Sequence, residues 1–558
     1  MEWSKEAFEK ARTEGKLVLL DLTASWCHWC HVMDETTYSD PEVARTIRSQ
    51  FVPIRVDIDS RRDISERYNR GGFPTTAFLS DMGESVWGAT YIPAADMKRV
   101  MDSILKAKAS GEIDSALERA RMPYLDLARA TKKREEPDSE AVADAFEEVF
   151  AAYDVDHGGF GSEPKFPQPD AVDLLLYRYS ENSDPELSEA VIHTLDSMAE
   201  GIYDKAEGGL FRYSVTANWK VPHYEKMLET NLGWLRNLVH AGAVLAEKRY
   251  EALAEGTAQY LLSKLRDKSS GAFFGSQDAD EDYYRLPEKD RTRARAPSID
   301  RAVYAGWNAE AASTFIEVGA AVGRRDWVDA GRGALRHLSS ALWAEQMSLV
   351  RHAEGQELYL FEDQVHVLRA IVSMIQLSPD EEHFGLADRL VDSVEKHFAH
   401  PDGGYGDVVV PEDAIGDLRE ARRSLILNAK WAESLALYSG LSGRAELVDK
   451  ARKALISFSR KEVEAYGVFA SSYVTAWAVV NNGPIVVDVH APFADALSDP
   501  LWLAAKRAFL PRTVAVISGD CQADESYAVV CTSKGCSQKI ASQQDLFKRI
   551  SSSQAGQG

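Results

Sequence analysis

The chain has 558 residues, of which 45% are hydrophobic and 27% charged, and it carries 12 tryptophans. At roughly 150 residues per domain, this length predicts three to four domains and excludes a single compact module. The composition excludes disordered and fibrous proteins. Because 64 Lys and Arg stand against 87 Asp and Glu, the net charge is -23, so nucleic acid and anionic membranes are not expected partners.

The sequence also bears on the compartment. The first ten residues, Met1 to Lys10, mix acidic and basic side chains, whereas a secretory signal needs an apolar stretch. No window approaches about 18 uninterrupted apolar residues, the length that a membrane span requires. Five cysteines in so long a chain do not make a secreted disulfide framework. We therefore expect a cytoplasmic protein with no membrane span.

Residues 1–112 are predicted to form a small α/β domain, because apolar runs alternate with amphipathic stretches at helical spacing. The predicted elements are, in order, a helix from Ser4, a strand at Leu17–Thr23, a helix from Cys27, a strand at Phe51–Asp59, a helix at Ser60–Asn69, strands at Thr75–Leu79 and Ser85–Thr90, and a helix at Ala94–Ala109. Residues 113–138 are polar, contain Pro137 and are predicted to be a linker.

Residues 139–481 lose the strand pattern and contain twelve helical segments, which begin near positions 139, 169, 185, 224, 249, 304, 325, 362, 380, 421, 443 and 470. Long loops rich in glycine and aromatic residues, such as Gly158-Gly-Phe and Gly208-Gly-Leu-Phe, alternate with short polar links. Repeated helical hairpins must stack to bury both faces, and six of them suit a closed (α/α)6 toroid. The long loops are then expected to gather at one rim.

The remaining residues return to an α/β pattern. Residues 482–550 are predicted to form a small C-terminal α/β unit, and residues 551–558, Ser-Ser-Ser-Gln-Ala-Gly-Gln-Gly, a disordered tail. The expected fold class is therefore multidomain, with an α/β domain, an all-α toroid and a second, smaller α/β unit.

The clearest chemical motif is Ser25-Trp-Cys-His-Trp-Cys-His31, which follows a predicted strand and opens a helix. Unpaired N–H groups and the helix dipole stabilise a thiolate at a helix N-terminus, which makes Cys27 the expected nucleophile. Cys30 lies one turn further on, within disulfide reach, and is the expected resolving thiol. Asp21, on the buried strand, is expected to have a raised pKa and to take the proton of Cys30. Pro74 precedes a later strand, where a cis bond presents a backbone edge to a bound peptide.

Residues 1–110 resemble thioredoxin in the string Leu20-Asp-Leu-Thr-Ala-Ser-Trp-Cys-x-x-Cys and in the later Phe73-Pro-Thr. The longer strings Cys27-His-Trp-Cys-His-Val-Met33, Gly71-Gly-Phe-Pro and Gly158-Gly-Phe-Gly-Ser-Glu-Pro-Lys-Phe-Pro167 are similar to the thioredoxin-domain family that includes YyaL and spermatogenesis-associated protein 20. This resemblance implies a thioredoxin-like domain joined to a toroid similar to N-acylglucosamine 2-epimerase. It also implies thiol–disulfide exchange with a protein or a low-molecular-weight thiol or disulfide.

Three other interpretations of the cysteine motif are open. Its letters also spell C-x-x-C-H, the haem attachment string, but that chemistry needs an exported chain and a distal axial ligand. Zinc would require adjacent side chains at a helix start to converge on one tetrahedral centre, which they do not do. Two unreactive buried cysteines are the structural alternative. No metal or cofactor is expected, and the other motif residues around the pair are Trp26, His28, Trp29 and His31.

A second candidate site lies at the rim of the predicted toroid, where Pro222-His-Tyr-Glu225 is expected to open the fourth helix. Aromatic platforms beside His and carboxylates suit a sugar ligand, and His223 with Glu225 or Asp280 can move a proton next to a carbonyl. The alternatives are binding without catalysis and a purely architectural role. The candidate pocket residues are Trp219, His223, Tyr224, Glu225, Asp278, Asp280, Trp307 and Asn308.

Cys531-Thr-Ser-Lys-Gly-Cys536 is expected to hold structural cysteines. The pair could form a second disulfide or accept electrons from Cys27 and Cys30. Three functions follow from the whole sequence. The first is a thiol–disulfide oxidoreductase fused to a sugar-epimerase-like toroid. The second is a carbohydrate-active isomerase, epimerase or hydrolase whose thioredoxin-like domain is regulatory. The third is a non-catalytic binding or scaffold protein.

Overall fold

The computed structural model describes residues 1–118, 137–491, 497–508, 511–518 and 526–555. The chain divides into two compact units. Unit 1 comprises Met1–Arg134 and Val408–Arg422, and unit 2 comprises Glu135–Asp407 and Arg423–Gly558.

Unit 1 is built on a four-stranded mixed sheet in the order β2-β1-β3-β4. Strand β1 lies at its centre, parallel to β2 and antiparallel to β3. Every residue of β1 before Thr23 is buried, as its apolar run predicts. The elements are α1 Lys5–Glu14, β1 Leu17–Thr23, α2 His28–Met33, α3 Pro41–Gln50, β2 Phe51–Asp57, α4 Arg62–Tyr68, β3 Thr75–Leu79, β4 Ser85–Ala89 and α5 Ala94–Ala109. This order confirms the predicted thioredoxin-like fold.

The first residues of the predicted linker have regular structure. Residues 112–118 are helical, because Ile113 joins the apolar core that α3 and α5 share and is 7% exposed. The rest of that segment, residues 119–136, lies outside the described residues.

Segment Val408–Arg422 was not predicted to belong to unit 1, since in sequence it follows a toroid helix. The guanidinium of Arg67 on α4 donates to the carbonyls of Asp417 and Glu420, at 2.9 and 2.8 Å. The hydroxyl of Tyr68 accepts the N–H of Asp417 at 3.1 Å. These bonds give the segment's polar backbone its partners, which explains why it packs on α4.

Twelve long helices in the described part of unit 2 form a closed double ring, which confirms the (α/α)6 toroid. The six inner helices contact one another in sequence, and the last closes the ring on the first. The outer helices are α6 Ser139–Ala151, α8 Pro185–Gly201, α10 Arg249–Tyr260, α12 Arg325–His337, α14 Glu381–His397 and α16 Glu446–Ile456. The inner helices are α7 Pro169–Asn182, α9 Leu228–Val244, α11 Ala305–Val322, α13 Phe361–Leu377, α15 Leu425–Ser442 and α17 Ser471–Asn482.

The fourth toroid helix begins later than predicted. Pro222–His223 is a two-residue strand that pairs with Tyr213–Ser214, and α9 begins at Leu228. Such short ladders give the backbone N–H and C=O groups of the loops hydrogen-bond partners. A helix that began at Pro222 would break this ladder. Similar pairs join Lys226–Met227, Ser276–Gln277 and Ile299–Asp300, and also Trp343–Ala344 and Leu349–Val350. Short helical turns lie at Asp34–Tyr38, Leu261–Leu265, Glu281–Tyr284, Glu288–Arg291, Leu338–Leu342, Gly416–Arg419, Arg460–Glu464 and Gly467–Ala470.

A buried amide side chain in the first turn of an inner helix holds the preceding long loop at four places. We call this device an amide clamp. In each clamp the side-chain oxygen accepts the N–H of one loop residue, and the side-chain NH2 donates to the carbonyl of that same residue. The pairs are Asn231 with Leu210, Asn308 with Phe273, Gln364 with Val350 and Asn428 with Tyr405, at 2.6–3.0 Å. The clamps therefore fix the long loops at the inner-helix N-termini.

The clamp at Asn308 generates a stability prediction. Asn308→Ala leaves the N–H and C=O of Phe273 buried without partners, so we expect the free energy of unfolding to fall by about 2–4 kcal/mol. Gln259→Ala, at an exposed position on α10, should change it by less than about 0.5 kcal/mol. Urea unfolding followed by circular dichroism measures both, and equal effects would contradict the clamp.

The C-terminal part of unit 2 is the predicted small α/β unit. Its elements are β5 Ile485–His490, α18 Pro500–Arg507, β6 Thr513–Ser518, β7 Tyr527–Thr532, β8 Gly535–Cys536 and α19 Gln543–Ala555, with sheet order β6-β5-β7-β8. Helix α19 continues through residues 551–555, which were predicted to be disordered. The guanidinium of Arg512 donates to the carbonyl of Ser553 at 2.8 Å and so caps this last turn. Residues 556–558 lie outside the described residues.

Candidate functional site

The two cysteines of the motif form a disulfide at the N-terminus of α2, just after β1. Cys27 is the N-cap residue of α2, and its Sγ accepts the backbone N–H of Cys30 at 3.2 Å. Helix α2 continues directly into the π-helical turn Asp34–Tyr38, so the pair caps a longer helical stretch than α2 alone. Cys27 and Cys30 are 4% and 2% exposed in this oxidised state.

Trp26 directly precedes Cys27, and its ring contacts Phe73, the residue before Pro74. The indole N–H of Trp26 donates to Asp59 Oδ2 at 2.6 Å, and its ring meets Phe73 edge-on at 6.5 Å. The Phe73–Pro74 peptide bond is cis, and Pro74 is buried. Sequence reasoning did not find Asp59, which lies in the turn after β2.

Trp29 is an exposed residue of the motif, with 49% of its surface accessible. It packs edge-on against Tyr91 at 5.3 Å and against His28 at 5.9 Å. His28 and His31 are exposed as well. The motif therefore places an aromatic and imidazole surface next to a buried disulfide.

Asp21 lies on β1 with 7% exposure, between neighbours that the sheet register supplies. Arg55 on β2 and Thr76 on β3 are its cross-strand partners. The Nε of Arg55 is 3.3 Å from Asp21 Oδ2. Burial raises the pKa of Asp21 to about 6, against the opposing effect of Arg55 and with a further rise from Asp34.

Tyr38 completes the surroundings of Asp21. Its hydroxyl is 3.5 Å from Asp21 Oδ1 and 2.7 Å from the hydroxyl of Thr76. Burial, followed by the charge of Asp21, raises the pKa of Tyr38 well above its usual range, so it stays a neutral donor. The π-helical turn that carries Tyr38 also carries Asp34, which pairs with Arg55. Sequence reasoning missed these three residues because it predicted no π-helical turn and no strand register.

The raised pKa of Asp21 predicts a pH-dependent stability. The folded pKa of about 6 lies above the ordinary value of 3.8. Stability is therefore highest when Asp21 is protonated, and it falls as pH rises from about 4 to about 6 and the buried group becomes charged. Asp21→Asn should therefore stabilise unit 1 at pH 7.5, by up to about 3 kcal/mol, and should be neutral near pH 3.5.

Thermal unfolding across this pH range measures the effect. Asp102→Asn, at an exposed position on α5, is the matched control and should leave stability nearly unchanged at every pH. Destabilisation by Asp21→Asn at pH 7.5 would contradict the assignment of burial as the main cause.

The predicted sugar platforms of the toroid are buried instead of lining a pocket. Trp219 is 0% exposed, and its indole N–H donates to the carbonyl of Gly158 at 3.1 Å. Trp307 is 5% exposed and packs edge-on against Tyr304. Asn308 forms an amide clamp. These three residues hold loops, so their side chains are not available to a sugar.

The side chains of the other predicted rim residues also contact nearby residues of the same chain. Asp280 caps a short helix by accepting the N–H of Tyr283 at 2.9 Å, and Asp278 accepts the N–H of Ala279 at 2.8 Å. Tyr224 stacks on Tyr284 at 5.7 Å. His223, 18% exposed at its side chain, is hydrogen-bonded through Nδ1 to Glu225, which is 1% exposed. Of the predicted acid–base partners, the structure brings only these two together.

A cavity of about 190 Å³ lies inside the ring of inner helices. All six inner helices line it, and Lys506 on α18 and β6 line it from the C-terminal unit. An engineered cavity of about 150 Å³ holds benzene, so this one has room for a ligand no larger than a monosaccharide. The predicted pocket residues do not line it.

Ion pairs cross the cavity between different helices. Asp170 contacts Arg236 at 2.8 Å and Lys430 at 3.0 Å, and these cations lower its pKa although burial acts to raise it. Arg369 contacts both Glu317 and Glu433 at 2.8 Å. The remaining polar contacts are Arg236 with Asp173, His240 with Asp173, Ser373 with Glu317 and Ser472 with Asp170. The network joins all six inner helices.

The charges of two groups at the cavity are less fully balanced by opposite charges. Glu310 meets Arg236 only at 3.9 Å, and burial raises its pKa, with Lys430 and Arg236 opposing. Burial lowers the pKa of Lys506 to about 8, and its ammonium donates to Gln376 Oε1 at 3.0 Å. Sequence reasoning missed both, because a charged residue on an amphipathic helix is predicted to face solvent.

Cys531 and Cys536 form a second disulfide, which joins opposite residues of β7 and β8. Among the residues that the structure describes, no group of three His, Cys, Asp or Glu side chains is placed to hold a metal ion. In the same part of the chain, no helix has the length and hydropathy to cross a membrane.

Comparison with known proteins supports the thioredoxin-like part. Residues 1–119 match the family model Thioredox_DsbH, a protein of unknown function, DUF255. Spermatogenesis-associated protein 20 of Homo sapiens is 32% identical over 302 residues, which cover 50% of this chain and 38% of the human protein. The uncharacterized protein B0495.5 of Caenorhabditis elegans is 30% identical over 302 residues, covering 50% of this chain and 41% of that protein. The resemblance to spermatogenesis-associated protein 20 is thus confirmed, over less than half the length of these relatives.

Further matches are to a shorter protein and to solved structures. Thioredoxin H-type of Fagopyrum esculentum is 35% identical over 80 residues, covering 14% of this chain and 65% of that protein. Similar solved structures include a sugar epimerase from a ruminal bacterium, 11% identical with a TM-score of 0.46, covering 56% of this chain and 85% of that one. A D-mannose isomerase is 10% identical with a TM-score of 0.46, covering 60% and 97%.

Proposed function

We propose that the chain is a thiol–disulfide oxidoreductase in which Cys27 attacks and Cys30 resolves. The observation that carries this proposal is the Cys27–Cys30 disulfide at the first turn of α2, in a thioredoxin-like fold. Two sulfurs bonded three residues apart, with the first at a helix N-cap, form the arrangement that lowers a thiol pKa and allows rapid disulfide exchange. The partner is a protein or a low-molecular-weight disulfide.

The first step joins the reduced chain to its client. The Cys27 thiolate attacks one sulfur of the client disulfide, so a Cys27–client bond forms while the client's own S–S bond breaks. The client thiolate that leaves takes a proton from water. The backbone N–H of Cys30, which donates to the Cys27 sulfur, and the helix dipole favour the charged form of this nucleophile.

The second step releases the client. Cys30 gives its proton to the Asp21 carboxylate, and the resulting thiolate attacks the sulfur of Cys27. The mixed disulfide breaks, the second client thiolate leaves, and the Cys27–Cys30 disulfide remains. Asp21 suits this role because a pKa of about 6 lets it exchange a proton near neutral pH. The client gains two electrons. A protein thiol or a low-molecular-weight thiol then reduces the Cys27–Cys30 disulfide again.

A trapping experiment tests this order of events. The Cys30→Ser variant, reduced and mixed with a disulfide-bonded peptide, should accumulate a peptide adduct on Cys27, because no second thiol resolves it. Non-reducing mass spectrometry of tryptic fragments identifies the sulfur that carries the peptide.

The matched control is Cys27→Ser, which leaves the buried Cys30 alone. It should form at least about tenfold less adduct, since Cys30 lies inside α2 and its sulfur is not at the N-cap position where Cys27 accepts a backbone N–H that favours the thiolate. Equal adduct on the two variants would contradict the assigned roles.

Carbohydrate chemistry in the toroid is a second candidate function. The cavity of about 190 Å³ and its buried carboxylates favour it. Burial raises the pKa of Glu310 and also that of Glu433, and a raised carboxyl pKa is the property that a general acid beside a sugar needs. Lys506 adds an amine whose pKa is about 8.

Glu310 supplies the test of this candidate. Incubation of the full chain with monosaccharides, followed by chromatography, should detect an isomerised or epimerised product. Glu310→Gln should reduce its formation by about 100-fold, the contribution typical of a general acid or base. Glu345→Gln, at an exposed position, should leave it unchanged. Absence of product with the unmodified chain would contradict catalysis in the toroid.

A further inference from the structure

The Cys531–Cys536 disulfide lies on the edge of the C-terminal sheet. Strand β8 is the outermost strand, and the two cysteines face each other directly across the β7–β8 hairpin. Cys536 is exposed and Cys531 is half-buried. A thiol partner can therefore approach this pair, whereas Cys27 and Cys30 are both buried when oxidised.

The disulfide contributes little to closing the hairpin. Cys531 and Cys536 are five positions apart, and the entropy that a cross-link removes from the unfolded chain is smallest for short loops. Backbone bonds already close this loop, since Cys531 pairs with Cys536 and Thr532 with Gly535.

The strand beneath the disulfide is held independently of it. Ala528 and Val530 on β7 are 0% exposed. The N–H of Ala528 donates to the carbonyl of Ile540 at 2.7 Å, and the N–H of Ser537 donates to the carbonyl of Val530 at 2.9 Å. Reduction of the pair therefore leaves the core of the C-terminal unit in place.

We infer that Cys531–Cys536 is a second thiol–disulfide exchange site, which accepts two electrons from a protein dithiol of the thioredoxin type. The reduced Cys27/Cys30 pair of another copy of this chain is such a dithiol, and in naming this donor the inference rests on the proposed function. The exposed Cys536 is the sulfur that the incoming thiolate attacks.

The electron transfer takes place in two thiol–disulfide exchanges. The Cys27 thiolate attacks Cys536, so a Cys27–Cys536 bond forms and the Cys531–Cys536 bond breaks. Cys531 leaves as a thiolate and takes a proton from water. Cys30 gives its proton to the Asp21 carboxylate and its thiolate attacks Cys27, so a Cys27–Cys30 bond forms, the mixed disulfide breaks and Cys536 leaves as a thiolate that takes a proton from water. One copy ends with a Cys27–Cys30 disulfide and the other with two thiols at Cys531 and Cys536.

Two variants of the full chain separate the two sites, and both carry Cys521→Ser to prevent scrambling. The variant with Cys27→Ser and Cys30→Ser keeps only the second pair. The variant with Cys531→Ser and Cys536→Ser keeps only the first.

The first experiment titrates the oxidised second-site variant with mixtures of oxidised and reduced dithiothreitol. Two thiols per chain should appear and disappear reversibly, as counted by alkylation and mass spectrometry. The melting temperature should change by less than about 2 °C on reduction. A pair that is reduced only when the chain unfolds, or whose reduction lowers the melting temperature by more than about 5 °C, would be a structural cross-link and would overturn the inference.

The second experiment mixes the reduced first-site variant with the oxidised second-site variant. Cys27 and Cys30 should lose two thiols while Cys531 and Cys536 gain two. No transfer over hours, although dithiothreitol reduces the second pair, would overturn the assigned donor. Should the first-site variant also fail to reduce a disulfide-bonded peptide, the proposed function fails by itself, and the dithiothreitol titration still decides whether the second site exchanges.

Discussion

The toroid depends on one recurring requirement, that loop backbone entering the ring of inner helices finds hydrogen-bond partners away from water. The four amide clamps meet it with one side chain each. Lys165 and Lys226 meet it with a buried ammonium that donates to the carbonyls of Gly158 and Gly208, at 2.9 and 2.8 Å. Each lysine also pairs with the aspartate that begins its loop. The polar side chains of the amide clamps and of these two lysines therefore stabilise the loops at the rim.

This requirement explains why the sequence located the two cysteines at the start of α2 more accurately than it located the residues that line the toroid cavity. A buried tryptophan or asparagine near a glycine-rich loop has the same sequence signature whether it holds the loop or binds a sugar, and Trp219 and Asn308 hold loops. Cys27 and Cys30 depend on local order alone, a strand followed directly by a helix. Their placement at the helix start could thus be predicted without knowing any long-range contact.

The fold itself was predictable to the extent that it is local. Helical periodicity located the twelve toroid helices to within a few residues, and alternating loop lengths predicted the closed ring. The packing of Val408–Arg422 on α4 depends on contacts hundreds of residues apart, such as that between Arg67 and Asp417, for which no local pattern exists. Arg55 and Tyr38 were missed for a related reason, since a strand register and a π-helical turn bring them to Asp21.

The degree of charge compensation separates the buried carboxylates that stabilise the fold from those suited to proton transfer. Asp170 contacts two cations within 3.0 Å, and its pKa falls although burial opposes this. Asp21 has Arg55 alone, which is half exposed and shared with Asp34, so burial prevails and the pKa rises to about 6. By the same criterion Glu310, which meets Arg236 only at 3.9 Å, is a poorly compensated acid of the toroid. Two cations at contact distance thus outweigh the cost of burying the charge of Asp170, whereas Arg55 offsets that cost only in part for Asp21, which can therefore take up a proton near pH 6.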